Sequence, residues 1–166
     1  MPTIATVGVY GATLESFLAA LGAAEVRTVL DVRQRRGVRG PEYAWANSQR
    51  LQRALAEAGL GYRHLPGLAP TTELRRLQYA IDDAAGVGKR SRTRLAPEYA
   101  EGYRHEILAR ADLGELLDAL PRDGIGALMC VERDPEACHR SLIAERLGAE
   151  HGFQVVDLRP WAASRP

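Results

Sequence analysis

The chain has 166 residues, of which 46% are hydrophobic and 26% are charged, and its formal net charge is +1. This composition is typical of one ordinary globular domain and excludes disordered, collagen-like and fibrous proteins. The small net charge disfavours a protein that binds nucleic acid over its whole surface. Neither a membrane span nor a secretory signal is recognisable, and two cysteines suit a reducing compartment. We therefore expect one cytoplasmic domain over residues 1–166, with no membrane partner.

The N-terminal part alternates short apolar runs with helical patterns. A β-branched run at 3–9 predicts a strand, and Thr13 then provides a suitable cap for a helix. A second strand is predicted at 26–32, followed by a helix that begins after Asn47. A third, weaker strand is predicted at 62–65.

The middle of the chain has a less regular pattern. Leu74, Leu77 and Ile81 recur at helical spacing and predict one helix. Residues 86–94 form a basic segment that is expected to be a solvated loop, with closure over an anion as the alternative. The pattern returns to helix over 98–120.

The C-terminal part contains the clearest strand, at 125–131, which is apolar throughout. Asp134 and Pro135 are a strong helix start, and a last strand is predicted at 153–158. This alternation predicts a single-domain, three-layer α/β sandwich around a mostly parallel sheet of about five strands. Ligand sites in such sheets lie at the carboxyl ends of the strands, so polar residues there are the candidates for function.

The densest group of candidates is the segment CVERDPEACHR, which contains Cys130, Glu132, Cys138, His139 and Arg140. A helix N-terminus together with Arg140 would lower the pKa of Cys138 and make it a nucleophile. A metal site is the second interpretation, but the wide cysteine spacing lacks the hairpin geometry of structural zinc sites, so no metal ligand is assigned. Core packing of both cysteines is the third.

The second group of candidates is the segment DVRQRRGVRG at the end of the second strand. Guanidinium groups bind phosphates and carboxylates bidentately, so this loop predicts an anionic ligand. Arg33 and Arg39 are predicted to bind it, whereas Arg35 and Arg36 are predicted to face solvent. Asp31 would serve as a general base or simply pair with a neighbour.

Two further side chains are predicted at the same edge of the sheet. Tyr10 follows the first strand and His64 lies at the end of the third, and both are assigned to substrate binding. The glycines of GVYGAT match neither the dinucleotide fingerprint nor the phosphate-binding loop. We therefore predict no cofactor.

Four segments together resemble the domain-of-unknown-function family 488 (DUF488), and they span nearly the whole chain. They are TVGVYG, LDVRQRRGVRGPEY, YRHLPGLAP and ALMCVERDPEACHRSLIAERL. The resemblance implies a small α/β protein without an agreed activity. It carries that family's motif residues onto Asp31, Arg33, Arg39, Cys130, Glu132, Cys138, His139 and Arg140.

The chain departs from the family pattern in the loops that are expected to face a ligand. The departures are Val9, Tyr10, Arg36, Val38 and the segment 68–70. Because they cluster there, they predict a substrate different from those of other members.

These observations predict a small enzyme, a hydrolase or group transferase, that acts on an anionic, nucleotide- or phosphate-bearing substrate. Arg33, Arg39 and Arg140 would hold the anion, and Glu132 or Asp31 would act as general base, with Cys138 as an alternative nucleophile. The rival interpretation is a non-catalytic module that binds nucleic acid or protein through its arginine loops.

Overall fold

The computed structural model describes residues 2–88 and 90–161 of the chain. Within these ranges the chain forms five β-strands and six α-helices. The strands are β1 (Thr3–Val7), β2 (Val26–Asp31), β3 (Gly61–His64), β4 (Ile125–Met129) and β5 (Gln154–Asp157). The α-helices are α1 (Leu14–Ala23), α2 (Ser48–Glu57), α3 (Thr72–Ala84), α4 (Pro97–Tyr103), α5 (Leu113–Ala119) and α6 (Arg140–His151). Shorter turns of 3₁₀-helix occupy Pro41–Ala46, Pro66–Leu68 and Pro135–Ala137, and a π-helical turn occupies Arg104–Leu108.

The strands form one sheet in the order β3-β2-β4-β1-β5, and every pairing between neighbours is parallel. The predicted parallel sheet is therefore confirmed. Asp31 at the end of β2 is in register with His64 of β3 on one side and with Met129 of β4 on the other. The carboxyl ends of these three strands consequently meet at one edge, where the loops after β2 and β4 also begin.

Helices cover both faces of the sheet, which confirms the three-layer α/β sandwich. On one face, α1 and α2 pack Phe17, Leu21, Leu51 and Leu55 against small and branched side chains of β1, β2 and β4. On the other face, residues of α3 to α6 pack against Ile4, Leu30 and Leu128. None of the helices in the described part of the chain combines the length and apolar character needed to cross a bilayer.

The start of α1 follows the sequence prediction, whereas the start of α2 uses its polar residue differently. Thr13 forms a reciprocal capping box with Ser16, as its position before an apolar helical stripe predicts. Asn47 precedes α2, but its side chain does not cap that helix. Its Oδ1 instead accepts a hydrogen bond of 2.7 Å from the amide of Val38. Asn47 thus fastens the arginine-bearing loop after β2 to the body of the protein.

Helix α3 contains all three residues of the predicted helix, and Leu74 and Ile81 pack against the core. Leu77 is 38% exposed, and the buried side chains are Leu74, Gln78 and Asp82. Two polar side chains of α3, Gln78 and Asp82, also point inward and find partners there. The helical pattern over 98–120 forms α4, the π-helical turn and α5, and Asp112 caps α5.

The segment before α6 departs from the prediction in a way that shapes the site. Asp134 and Pro135 begin only a single 3₁₀ turn, which ends at Ala137. Cys138 then has an extended backbone, with φ −137° and ψ 146°, and α6 begins at Arg140. Cys138 therefore lies just before the N-terminus of α6 rather than inside the first turns of a helix.

Candidate active site

A cleft of about 820 Å³ opens at the carboxyl ends of β2 and β4. Its floor includes Cys130, Glu132 and His139, and its sides come from the loop after β2, from α3 and from the segment that precedes α4. The position agrees with the rule that parallel sheets bind ligands where their strands end. Six arginines contribute to the lining, namely Arg33, Arg35, Arg39, Arg75, Arg90 and Arg92.

A chain of buried charges runs along one side of the floor. Arg92 donates to Asp82 at 2.7 Å and to Glu132 Oε1 at 2.9 Å. Burial disfavours the charged form of Arg92, but the two carboxylates outweigh it and raise the pKa of its guanidinium. The expectation that the basic run at 86–94 is a solvated loop is therefore wrong for Arg92, which is 8% exposed. Lys89, in the same run, lies outside the described residues.

Two sulfurs and one imidazole meet beside Glu132, and we call Cys130, Cys138 and His139 the Cys-His cluster. The Nδ1 atom of His139 lies 3.7 Å from each sulfur. Its Nε2 lies 2.7 Å from the carbonyl oxygen of Val32, an acceptor that fixes the proton on Nε2 and leaves Nδ1 for the sulfurs. The Cys130 thiol donates to Glu132 Oε2 at 3.3 Å.

The two thiols are electrostatically different although both are buried. For Cys130, burial and the neighbouring anionic groups raise the pKa well above its usual value. For Cys138, burial acts in the same direction, but the Cys130 thiol and the positive charges of His139 and Arg140 hold the pKa well below its usual value. The anionic sulfur in turn raises the pKa of His139 against the opposing effect of burial. Cys138 itself is only 1% exposed.

Arg140 supports the backbone next to this cluster through hydrogen bonds. Its side chain is fully buried and donates to the carbonyl oxygens of Glu132 and Arg133, at 2.8 and 3.1 Å. Its backbone amide points at Cys138 Sγ at 3.5 Å. Among the residues that the structure describes, Arg140 Nε is buried without a hydrogen-bond partner, and Arg140 forms no ion pair. The guanidinium therefore shapes the loop after β4 and adds positive charge next to the cluster.

Arg33 and Asp31 form a buried ion pair at the end of β2. Arg33 donates through Nε and Nη2 to the two carboxylate oxygens of Asp31, both at 2.9 Å, and through Nη1 to the carbonyl of Ala46. Tyr62 donates its hydroxyl to the same carboxylate. Burial first, and then this carboxylate, raise the pKa of Tyr62. Asp31 is fully buried, and both of its carboxylate oxygens accept hydrogen bonds. Its geometry is therefore that of a carboxylate paired with its neighbours.

The other candidates from β1 and β3 differ in their access to the cleft. Tyr10 lines it, tilted against Tyr43 with ring centroids 5.3 Å apart, and the guanidinium of Arg90 lies over both rings. His64 is half-buried and places Nε2 3.1 Å from the carbonyl oxygen of Arg33. His64 thus holds the backbone that follows β2.

Three other arginines that line the cleft, Arg35, Arg39 and Arg75, form fewer contacts with the rest of the protein. Arg35 and Arg39 are exposed along the cleft, and Arg75 is half-buried, donating to Gln34 at 2.7 Å and to Tyr79 at 2.9 Å. None of these three forms an ion pair within the described ranges. Arg36, by contrast, turns toward the hydroxyl of Tyr62 at 3.4 Å.

The structure brings most of the predicted site residues to one place. The cleft lining includes Tyr10, Arg33, Arg39, Glu132 and His139, with Cys130 beside them. The other predicted residues lie close to these as partners or supports: Asp31, His64, Cys138 and Arg140. The acid, sulfur and guanidinium groups of distant segments therefore share one concave patch.

Sequence reasoning missed the contribution of α3 and the segment that follows it. Arg75 and Gln78 line the cleft, and Asp82 anchors Arg92. The spacing of Leu74, Gln78 and Asp82, each four residues from the last, was an available signal. It places two polar side chains on one face of a helix with an apolar residue, which is typical of a helix that borders a polar site.

Comparison with known proteins gives a family and no activity. A family model described as "Domain of unknown function DUF488" matches residues 13–147, which include both predicted motif segments. No curated protein and no solved structure matches the chain.

Proposed function

Because this chain belongs to the DUF488 family, which is a family of unknown function, we propose its activity from the cleft itself. The protein is a small enzyme, a hydrolase or group transferase, that acts on an anionic, nucleotide- or phosphate-bearing substrate. The observation that carries this proposal is the wall formed by Arg35, Arg39 and Arg75, which have no acidic partner in the described ranges and face a floor of reactive groups.

The charge of the cleft favours an anion. Arg33 and Arg92 also line it, but their charges are compensated by Asp31, Asp82 and Glu132 at ion-pair distance. The three wall arginines add positive charge that no acidic side chain of residues 2–88 and 90–161 compensates by an ion pair. Their planar groups suit phosphate or carboxylate oxygens, which they can bind bidentately.

The shape of the cleft favours a small molecule over a nucleic acid. A volume of about 820 Å³ lies within the usual range of small-molecule sites, about 300 to 1,000 Å³. Tyr10 and Tyr79 also line it. A nucleic-acid groove would instead extend along a basic surface.

Glu132 is the carboxylate best placed to act as general base. Its Oε1 is held by Arg92, whereas its Oε2 meets only a thiol among the contacts described. Glu132 also lines the cleft. Asp31 has neither oxygen available, since Arg33 and Tyr62 occupy both. In the proposed hydrolysis, water gives a proton to Glu132, and the water oxygen bonds to the electrophilic phosphorus or carbon. The bond to the leaving group then breaks, and the leaving group takes the proton from Glu132.

We also propose a reducing compartment, the cytoplasm, as the place where the protein works. Both cysteines are free thiols and are buried in the structure. Reducing conditions preserve such thiols.

A matched pair of arginine variants on α3 tests the anion site. Arg75 lines the cleft, whereas the adjacent Arg76 is exposed and does not contribute to the lining. Nucleoside mono- and diphosphates and sugar phosphates are screened for a rise in melting temperature, and the affinity of the best ligand is then measured by calorimetry. Arg75→Ala should weaken binding about tenfold or more, because a hydrogen bond to a charged group is lost, and Arg76→Ala should not.

Two results would count against the proposal. If no phosphate-bearing compound binds the wild-type chain, or if both variants bind as the wild type does, the wall arginines do not form an anion site. Binding of DNA or RNA that weakens steeply with salt and is insensitive to Arg75→Ala would favour the non-catalytic alternative.

A further inference from the structure

We propose that the Cys-His cluster binds a divalent transition-metal ion, with zinc as the preferred ion, through Cys130, Cys138 and His139. Their three ligand atoms all lie within 4.8 Å of one another, and all three side chains are buried. Two sulfurs and one imidazole nitrogen form a donor set typical of zinc. The cysteine spacing had disfavoured a metal, but the extended backbone at Cys138 brings its sulfur back to the end of β4.

The two sulfur–nitrogen distances are compatible with a metal polyhedron. For tetrahedral zinc with bonds of about 2.3 Å to sulfur and about 2.05 Å to nitrogen, the separation of sulfur and nitrogen is about 3.6 Å. The structure gives 3.7 Å from His139 Nδ1 to each of the two sulfurs. One nitrogen equidistant from two sulfurs is the expected arrangement of three ligands around a shared centre. The same polyhedron places the two sulfurs about 3.8 Å apart, and the three ligand atoms lie within 4.8 Å of one another, so the sulfurs would approach each other by up to about 1 Å on metal binding.

The surroundings orient these ligands as they are oriented in metal sites. A metal-binding histidine nearly always donates its second ring N–H to a carbonyl or carboxylate, and His139 Nε2 lies 2.7 Å from the carbonyl of Val32. The Arg140 amide points at Cys138 Sγ at 3.5 Å. The buried guanidinium of Arg140 has no acidic partner in the described ranges, so it can balance the negative charge that two thiolates bring.

The site leaves a position open toward the cleft. Cys130 and His139 line the cleft, and Glu132 borders it beside them, but Glu132 is not part of the group of mutually close ligand atoms. Three protein ligands and one open position are the pattern of catalytic rather than structural zinc. Metal binding also removes the thiol proton that Cys130 donates to Glu132 Oε2, which frees that oxygen. The catalytic part of this inference rests on the proposed function, since the ion would polarise an anionic substrate held by the wall arginines.

Cobalt substitution tests the site on the full chain. The protein is purified with a reductant, stripped with a chelator and titrated with Co²⁺ under anaerobic conditions. We expect one ion per chain, thiolate-to-cobalt charge-transfer absorption in the near ultraviolet, intense visible bands of tetrahedral cobalt, and displacement of cobalt by Zn²⁺. Cys130→Ser and His139→Gln should each weaken binding by about 100-fold or more, because even removal of a second-shell group costs about 10- to 100-fold.

The control is His151→Gln, at the far end of α6, where the imidazole is exposed. This variant should keep the wild-type spectrum and stoichiometry. Circular dichroism identifies any variant that fails to fold, and the wild-type titration decides the question without the variants. A folded, reduced wild-type chain that shows no charge-transfer band overturns the proposal, as does a full band in the Cys130→Ser/Cys138→Ser double variant.

The two proposals fail separately. Arg75→Ala should bind cobalt as the wild type does, because Arg75 is not a ligand. Phosphate-ligand binding without a cobalt spectrum would remove the metal site alone. A cobalt spectrum without binding of any phosphate-bearing compound would remove the proposed substrate class and leave the metal site intact.

Discussion

Arginines at the same edge of the sheet belong to two different regions of the molecule. We call the first region the frame, and it consists of the buried residues Arg33 and Arg140. They are 2% and 0% exposed, and their side chains donate hydrogen bonds to Asp31 and to backbone carbonyls. In the wall, Arg39 and Arg75 border the cleft without an ion pair in the described ranges. The residue type is the same, but burial and partners divide the set.

The difference teaches that a guanidinium group can serve structure or recognition, depending on its solvation. A buried arginine that lost its partners would have to regain solvent or leave an uncompensated charge, so it holds its neighbours in place. An arginine at the rim of a cleft keeps its solvent and exchanges it for a ligand at a smaller cost. Substitution of a frame arginine should therefore lower the free energy of unfolding more than substitution of a wall arginine does. For the affinity of the ligand, substitution of a wall arginine should have the larger effect.

The largest effect is expected for Arg33→Met. This change leaves the Asp31 carboxylate fully buried without its cation, which should lower the free energy of unfolding by about 3 to 5 kcal/mol. Urea denaturation followed by circular dichroism measures the loss.

The matched control replaces both charges. In Asp31→Leu/Arg33→Met no charge is left uncompensated, so this double variant should be more stable than Arg33→Met alone. A double variant that is less stable than the single variant would show that the two charges do not stabilise the fold by compensating each other.

A smaller loss of stability is expected for a substitution at Gly8, which follows β1 and lies next to the Arg140 side chain. A Cβ at this position would overlap the carbonyl oxygen of Glu132 and come within 3.2 Å of Arg140 Nη2. Gly8→Ala should therefore lower the free energy of unfolding by about 1 to 3 kcal/mol, since the loop after β4 must shift.

Gly22→Ala is the control for this glycine, because a Cβ there meets no atom within 4 Å. Gly22 lies inside α1, where alanine is the better helix former, so this variant should be as stable as the wild type or more so. Equal stability of Gly8→Ala and the wild type would show that the loop is not held tightly.

Most of the fold was predictable from the sequence because strands of a buried parallel sheet are short apolar runs. The runs at 3–9, 26–32 and 125–131 contain β1, β2 and β4, each displaced at its end by about two residues at most. The burial of two polar side chains of α3 was not predictable from the apolar residues alone. Gln78 and Asp82 are buried there because Arg92 and the amide of Ala96, distant in sequence, satisfy them.

The candidate site was predictable as a location and less so as a set of contacts. The rule about strand ends brought Asp31, Cys130 and Glu132 to one edge. The sequence pattern could not show that Glu132 pairs with Arg92 across 40 residues. Local spacing carries no information on such a pairing, which depends on where a long loop returns.

The smallest expected effect is on the wall. Arg39 is exposed and its side chain forms no ion pair in the described ranges, so Arg39→Ala should change the free energy of unfolding by less than about 0.5 kcal/mol. The same variant should weaken binding of the phosphate ligand. Parallel urea denaturation and calorimetry measure both properties on one sample. A loss above about 1 kcal/mol with unchanged binding would place Arg39 in the frame, and the division between frame and wall would then follow something other than burial.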